Sequence, residues 1–389
     1  MGNNWGHKLM PGQNVNLSKV SRRSFLIAVT GSALAAAAGC RPQSEGVAPT
    51  AYVPGSGATA VPSGAATAAA ALPTHAATSG QTGVVDSSYG NVTYDKIMIT
   101  SADDLYDTQW DYNNTPQIDS STWSLKIDGL VDNPTTLDYK AIQQFPTLED
   151  MRCLECIGNP VGGNLVGNVV WKGFPIQEIL NLVKVQSKAT HLKFEAADGY
   201  SDSVALEWVT QPGTMMAYMM NGRPLTVKHG FPIRILMPGL YGQKMPRWIT
   251  HMEFLDHYYQ GYWEQNGWSD IASVNTNSMI QTPPNGYSTH AGSQLAIQGV
   301  AFAGRRAITK VEVQIDNGDW MPAQLLHGTS SLAWTQWYLT WNPPAPGSYQ
   351  IGVRATDDTG FTQSQEAGGI FSDASDGTSA IHRISVKAA

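Results

Sequence analysis

Cys153 and Cys156 stand with two residues between them in Arg152-Cys153-Leu154-Glu155-Cys156-Ile157-Gly158-Asn159-Pro160-Val161-Gly162-Gly163. A thiolate is a soft ligand that can hold a metal directly, and two thiols at this spacing can also cycle between dithiol and disulfide. The residues alone leave both chemistries open. The glycines and Pro160 let backbone approach a bulky group closely and fix the path of the loop. The run lacks the strand-to-helix setting of a thioredoxin-type pair, and no second Cys-x-x-Cys completes a zinc site.

The elements that must position these thiols begin late in the chain. Ser21-Arg22-Arg23-Ser24-Phe25-Leu26 has the form of a twin-arginine export motif. The apolar run from Phe25 to Ala38 fits a signal core and falls short of the roughly 20 residues of a spanning helix. Ala37-Ala38-Gly39-Cys40 is close to a lipoprotein box, with Ala37 where Leu is usual, so Cys40 is a candidate lipid attachment site. These segments predict export to the periplasm or envelope surface, with residues 1–40 as signal. Residues 41–91 are mostly Ala, Gly, Pro, Ser and Thr; they cannot build a core and read as a tether.

From Val92 onward, apolar and polar residues alternate over 123–129, 191–195, 203–206 and 231–237, predicting strands, while 139–144 and 176–183 have helical spacing. Short helices among short strands predict an α+β domain over 92–282. After Thr282-Pro283-Pro284 the pattern changes. Runs at 295–302, 309–315, 334–341 and 349–355 alternate with turn residues, as in an immunoglobulin-like sandwich over 283–389. Twelve Trp residues suit both packed sandwiches and deep pockets. A net charge of −7 argues against nucleic acid as a partner.

The Cys156 loop, continued as Gly167-Asn168-Val169-Val170-Trp171-Lys172-Gly173-Phe174-Pro175, resembles the cofactor loop of the sulfite-oxidase family of molybdopterin enzymes. Four further segments resemble that family in the same order. They are Asn221-Gly222-Arg223-Pro224-Leu225 with His229-Gly230-Phe231-Pro232-Ile233-Arg234, Tyr241 to Trp248, Gly261 to Ser269, and the C-terminal run from Ala303 to Val313 with Ile381 to Ile384. The resemblance covers residues 92–389 and implies a sulfite-oxidase-type molybdopterin-binding domain followed by the family's dimerisation domain.

It implies that Cys156 ligates molybdenum and that His229, Arg234 and Arg247 hold the phosphate of the molybdenum-molybdopterin cofactor. Tyr106, Asp107, Asp198 and Met245 fall where relatives contact the pterin, and Trp268 falls where sulfite oxidases carry an active-site Tyr. Arg247 replaces the family's usual Lys, and Cys153 matches no ligand. The reaction implied is two-electron oxygen-atom transfer with a small oxygen donor or acceptor, in a homodimer. Sulfite oxidases continue the Cys loop with two Arg residues, where this chain has Pro160 and Val161. Losing those cations and the Tyr disfavours sulfite and points to a more aromatic pocket. A sulfoxide reductase on the same scaffold is the alternative, and a tethered binding protein without activity is the third reading. No Cys-x-x-Cys-His haem motif and no dinucleotide fingerprint occur, so a separate cytochrome or quinone system is the expected electron partner.

Overall fold

The computed structural model describes residues 84–87, 90–93, 97–366 and 374–389. The export motif, Cys40 and most of the tether lie outside the described residues. At the end of the stretch read as tether, Val84–Ser87 and Gly90–Thr93 pair as an antiparallel hairpin, so regular structure starts ahead of Val92. Val84, Val85 and Val92 are β-branched residues that favour extended chain.

Two five-stranded sheets build the first part. In one, Leu148–Glu155 pairs antiparallel with Val166–Pro175, which pairs with Met215–Met220; Arg223–Pro224 and Arg234–Leu236 both pair with Met215–Met220. In the other, Ile249–Leu255 lies between Ser124–Gly129, to which it is parallel, and His191–Ala196; Thr135–Asp138 and Ser201–Ala205 form the edges. Alternation decides which face is buried: Leu125 and Ile127 are fully buried between exposed neighbours. Phe174, Ile179, Phe194, Met216, Ile235 and Phe254 belong to the shared core and are fully buried. The longest α-helix among the described residues is Ile176–Val183, with Ile176, Ile179, Leu180 and Val183 turned inward. Asp138 caps the short helix Tyr139–Ile142 by accepting from the Ala141 N–H.

The strand expected over 231–237 is confined to Arg234–Leu236. Phe231 and Pro232 belong to a turn, and Pro232 has no N–H to give a ladder.

The C-terminal part is a β-sandwich, as expected. Leu295–Phe302 lies between Asn277–Thr282 and Thr335–Trp341, and Gln324–Leu326 completes that sheet. Ile308–Ile315, Gly347–Asp357 and Ala380–Ala388 form the centre of the facing sheet. Ile297, Val311, Val313, Trp337, Ile351 and Val353 pack between them. Asn277–Thr282 pairs into this sandwich, which therefore takes in chain ahead of Pro283.

Phe174→Ala is expected to cost about 3–5 kcal/mol, because a fully buried ring leaves a cavity its neighbours fill only in part. Urea unfolding of the variant beside the parent measures the loss.

Candidate active site

The Leu148–Glu155 and Val166–Pro175 strands end at the pair Glu155–Val166, and the Cys loop is the connection between them. The Cys156 N–H donates to the Leu165 carbonyl at 2.9 Å and closes the loop's neck. Asn159 Oδ1 accepts from the Leu165 N–H at 2.9 Å and its Nδ2 donates to Glu155 at 3.0 Å. The sandwich braces the same strand: Asn277 Nδ2 reaches Glu155 Oε2 at 2.9 Å, and the Cys153 N–H donates to the Leu332 carbonyl at 2.7 Å.

Both sulfurs are free. Cys153 packs with Ile157, Val166 and Tyr241 in an apolar cluster, and burial raises its thiol well above the usual range. Cys156, three residues on in extended chain, turns to the other side and lines a cleft enclosing about 220 Å³. Burial also pushes up the Cys156 thiol, against donors at Gly158 and Thr108. Trp268 faces the sulfur across Gly158: a Cβ there would lie 3.3 Å from the Trp268 ring and 3.9 Å from Cys156 Sγ.

The cleft joins segments far apart in sequence. Tyr106, Cys156, Asp198, Arg234, Met245, Arg247 and Trp268 all line it, from among the residues singled out above. Asp107 and His229 do not. Asp107 acts through its carbonyl, 3.4 Å from Arg247 Nη1. His229 is fully buried behind Arg234, whose Nη1 donates to its carbonyl at 3.4 Å. Its Nε2 sits 2.8 Å from the Ala102 carbonyl, which makes Nε2 the protonated nitrogen and leaves Nδ1 bare. Burial pulls the His229 imidazole down to about 4, with Arg234 adding to the shift, so it is neutral near pH 7.

Among the described residues, Arg234 and Arg247 are the only cations lining the cleft. Neither makes an ion pair among the described residues. Arg234 Nη2 reaches the Met245 carbonyl at 3.4 Å; Arg247 donates to the carbonyls of Lys228 at 2.6 Å and Thr108 at 2.7 Å. Their ring partners are Trp171 for Arg234 and Trp248 for Arg247, at 5.2 and 4.5 Å. Burial pushes Arg234 down to about 9, Arg247 adds to that, and burial lowers Arg247 as well. Gly230 makes the approach of these cations feasible: its φ is +104°, and a Cβ there would meet Arg247 Cβ at 2.9 Å and Arg234 Cβ at 3.3 Å.

Buried polar atoms without a protein partner cluster here: Tyr106 Oη, His229 Nδ1 and Arg234 Nε. A buried donor without an acceptor costs about 1–3 kcal/mol. A buried and a half-buried guanidinium, with Asp198 acting on Arg247 only from beyond ion-pair distance, favour a further anion, which the phosphate of a pterin cofactor would supply. No group of three His, Cys, Asp or Glu among the described residues could hold a metal by itself. A metal at Cys156 would therefore take its other ligands from the cofactor, and the residues present fit such a group.

The remaining walls are aromatic. Trp110, Tyr262, Trp263 and Trp268 form a chain with successive centroids 5.2, 5.1 and 5.8 Å apart. Asp198 accepts from Trp110 Nε1 at 2.9 Å and from the Tyr200 N–H at 3.0 Å, and burial raises its carboxyl. Sequence reasoning did not single out Trp110 and Gln243, which also line the cleft; Trp263, which with Trp268 and Tyr262 suggests an aromatic pocket in the sequence, lines it too. The signal for Trp263 lay in the Trp-rich run itself; nothing local marked Trp110 or Gln243.

Comparison with known proteins agrees with this geometry. Residues 112–263 match the model of the oxidoreductase molybdopterin binding domain, and residues 269–388 match that of the Mo-co oxidoreductase dimerisation domain. A nitrate reductase [NADH] 2 of Phaseolus vulgaris is 28% identical over 316 residues, which is 64% of this chain and 35% of that protein. An uncharacterized oxidoreductase YuiH of Bacillus subtilis is 31% identical over 150 residues, 39% of this chain and 74% of its own. The chain thus spans about a third of the length of the nitrate reductases it matches. In fold it is similar to the sulfane dehydrogenase SoxCD from Paracoccus pantotrophus, with a TM-score of 0.62 and 21% identity over 70% of this chain and 77% of that one.

His229 gives the fold a pH dependence. Its folded value lies below the ordinary imidazole range, so its contribution is complete above about pH 6.5 and is lost as pH falls toward about 4. His229→Gln is expected to flatten that loss, on the order of 1–3 kcal/mol, in urea midpoints measured across this window.

Proposed function

Because the chain belongs to the sulfite-oxidase-type molybdopterin oxidoreductases, we propose that it catalyses two-electron oxygen-atom transfer in the cleft beside Cys156. The observation that carries the reading is the pair of guanidinium groups, neither in an ion pair among the described residues, opening onto the same cleft as a free cysteine. When bound, the molybdenum-pterin group supplies the two-electron centre; the protein holds it and shapes access. Arg234 and Arg247 bind its phosphate, with His229 and the Asp107 carbonyl positioning them. Tyr106, Asp198 and Met245 contact the pterin. Cys156 Sγ is the protein ligand; burial keeps its proton until metal displaces it.

The substrate is a small neutral molecule. Once the two Arg groups hold the phosphate, no cation is left among the lining residues to receive an oxyanion. Trp110, Trp263 and Trp268 exclude water and offer flat apolar surface instead. Sulfoxides are the favoured second reading, because sulfur packs well against aromatic rings. The C-terminal sandwich pairs two subunits, as the name of its matching family model suggests.

Ser21 to Leu26 and Cys40 support export by the twin-arginine route and lipid attachment at the envelope surface. Electrons then pass to or from a separate cytochrome or quinone system.

Molybdenum per chain and turnover test the reading together. The parent is expected to hold near one equivalent. Cys156→Ser should remain folded and lose turnover. Arg234→Met should weaken cofactor retention by about 2–5 kcal/mol, since it leaves one buried phosphate charge without its partner. A parent protein without molybdenum, from a host that makes the cofactor, would sink the proposal. Replacing Arg22 and Arg23 by Lys is expected to keep the protein in the cytoplasm, as read by cell fractionation.

A further inference from the structure

A second charged cluster lies behind the aromatic wall, and the chemistry above does not use it. Lys244 Nζ is 2.9 Å from Asp202 Oδ1 and 2.6 Å from Glu264 Oε1. The side chain of Lys244 is 1% exposed and the two acids are 0% exposed. The three come from separate elements: the turn Gly242–Lys244, the strand Ser201–Ala205 and the short helix Tyr262–Gln265. A Cβ on Gly261 would lie 2.7 Å from Glu264 Oε2 and 2.8 Å from Asp202 Oδ1, so the acids meet where only glycine leaves room.

One ammonium does not balance two carboxylates. Asp202 Oδ2 and Glu264 Oε2 are both buried with no donor. The other oxygens are taken: Asp202 Oδ1 also accepts from the Ser203 N–H at 2.7 Å, and Glu264 Oε1 from Gln243 Nε2 at 2.5 Å. An unneutralised carboxylate in such a place is expensive, and acids sharing a site resist double ionisation. One proton on the pair removes the excess charge and gives an orphaned oxygen its hydrogen. Burial, opposed by Lys244 and reinforced by Glu264, raises Asp202 to about 7.

Other titratable groups face the cluster. The Tyr200 and Tyr258 hydroxyls are raised by burial, and His191, which feels Lys244, is pushed down by burial. The nearby acids Asp198 and Asp270 are tied to Trp110 and Tyr258.

The cluster reaches the cleft through two routes. Glu264 sits on the same short helix as Trp263, whose carbonyl accepts from the Trp268 N–H at 3.1 Å. Gln243 adjoins Lys244, and its Nε2 is gripped by Glu264 and by the Ser269 carbonyl at 3.0 Å. We propose that Asp202, Lys244 and Glu264 are positioning residues, a buried clamp whose charge is balanced by a proton on Asp202 and which thereby fixes Gln243, Trp263 and Trp268 as the wall that grips substrate. Below neutrality the clamp is charge-balanced and the wall is tight. Above it Asp202 gives up its proton, its unpartnered oxygen is left charged in a dry site, and the wall loosens. Only the substrate half of this inference rests on the function proposed above.

The test uses the full-length, cofactor-loaded protein titrated across neutrality, reading tryptophan emission and KM. The parent is expected to show one transition in both, centred near pH 7, with KM rising on the alkaline side and kcat changing less. Glu264→Gln and Asp202→Asn, each of which leaves a single acid for Lys244, should both lose the transition. Trp268→Phe should remove most of the emission change, which ties the signal to the wall. A parent with no transition, or carboxamide variants that keep it at the same midpoint, would overturn the clamp. Molybdenum content, measured on the same samples, reports separately on the cofactor: a metal-free parent would sink the proposed function while the emission titration still decides the clamp.

Discussion

Two cations set side by side on one cleft, Arg234 buried and Arg247 half-buried, with no ion pair to either among the described residues, are the constraint around which the rest of this structure is arranged. Arg247 depresses Arg234, and both are held by backbone carbonyls and ring faces, which orient a guanidinium without neutralising it. Such an arrangement is costly in an isolated protein and sensible in one that receives an anion. It requires Gly230, whose lack of a side chain lets the two cations approach. It also requires both sheets, since Arg234 lies on a strand of one and Arg247 leads into Ile249–Leu255 of the other.

The sandwich does more than add a second body. From it Asn277 donates to Glu155, the Leu332 carbonyl accepts from the Cys153 N–H, and His382 packs where a side chain on Gly162 would stand. The cysteine loop is thus braced from its own sheet, through Asn159, and from the C-terminal sheets. A ligand sulfur fixed from two sides keeps its geometry when the rest of the cleft changes, which is what a metal centre demands of its surroundings.

The two wet ends of the site chemistry are kept apart. Cations gather where the anionic part of a cofactor would lie, while Trp110, Tyr262, Trp263 and Trp268 make the remaining wall. Behind that wall lies the Lys244 cluster, whose side chains are almost wholly buried. The same low dielectric that makes the wall a good apolar surface makes the cluster's proton count matter.

Much of this was legible along the chain. Alternation of apolar residues placed Ser124–Gly129, His191–Ala196 and the central strands of the sandwich, because a strand's two faces are written two residues apart. The Cys156 loop and the His229 to Arg234 run marked themselves by residue type and spacing. Distance across the fold was not legible. Whether a side chain lines the cleft or backs it depends on how two sheets meet, so Arg234 faced the cleft and His229, five residues before it, did not. Trp110 and Gln243 carry no local signature. Asp202, Lys244 and Glu264 carry no mark of their own, since nothing in one dimension says that three separated ions will share a single dry site. Local pattern determined which residues could be strand, loop or ligand; only the packing of sheets decided which of them lost their water, and that loss is what turns a charge into a site.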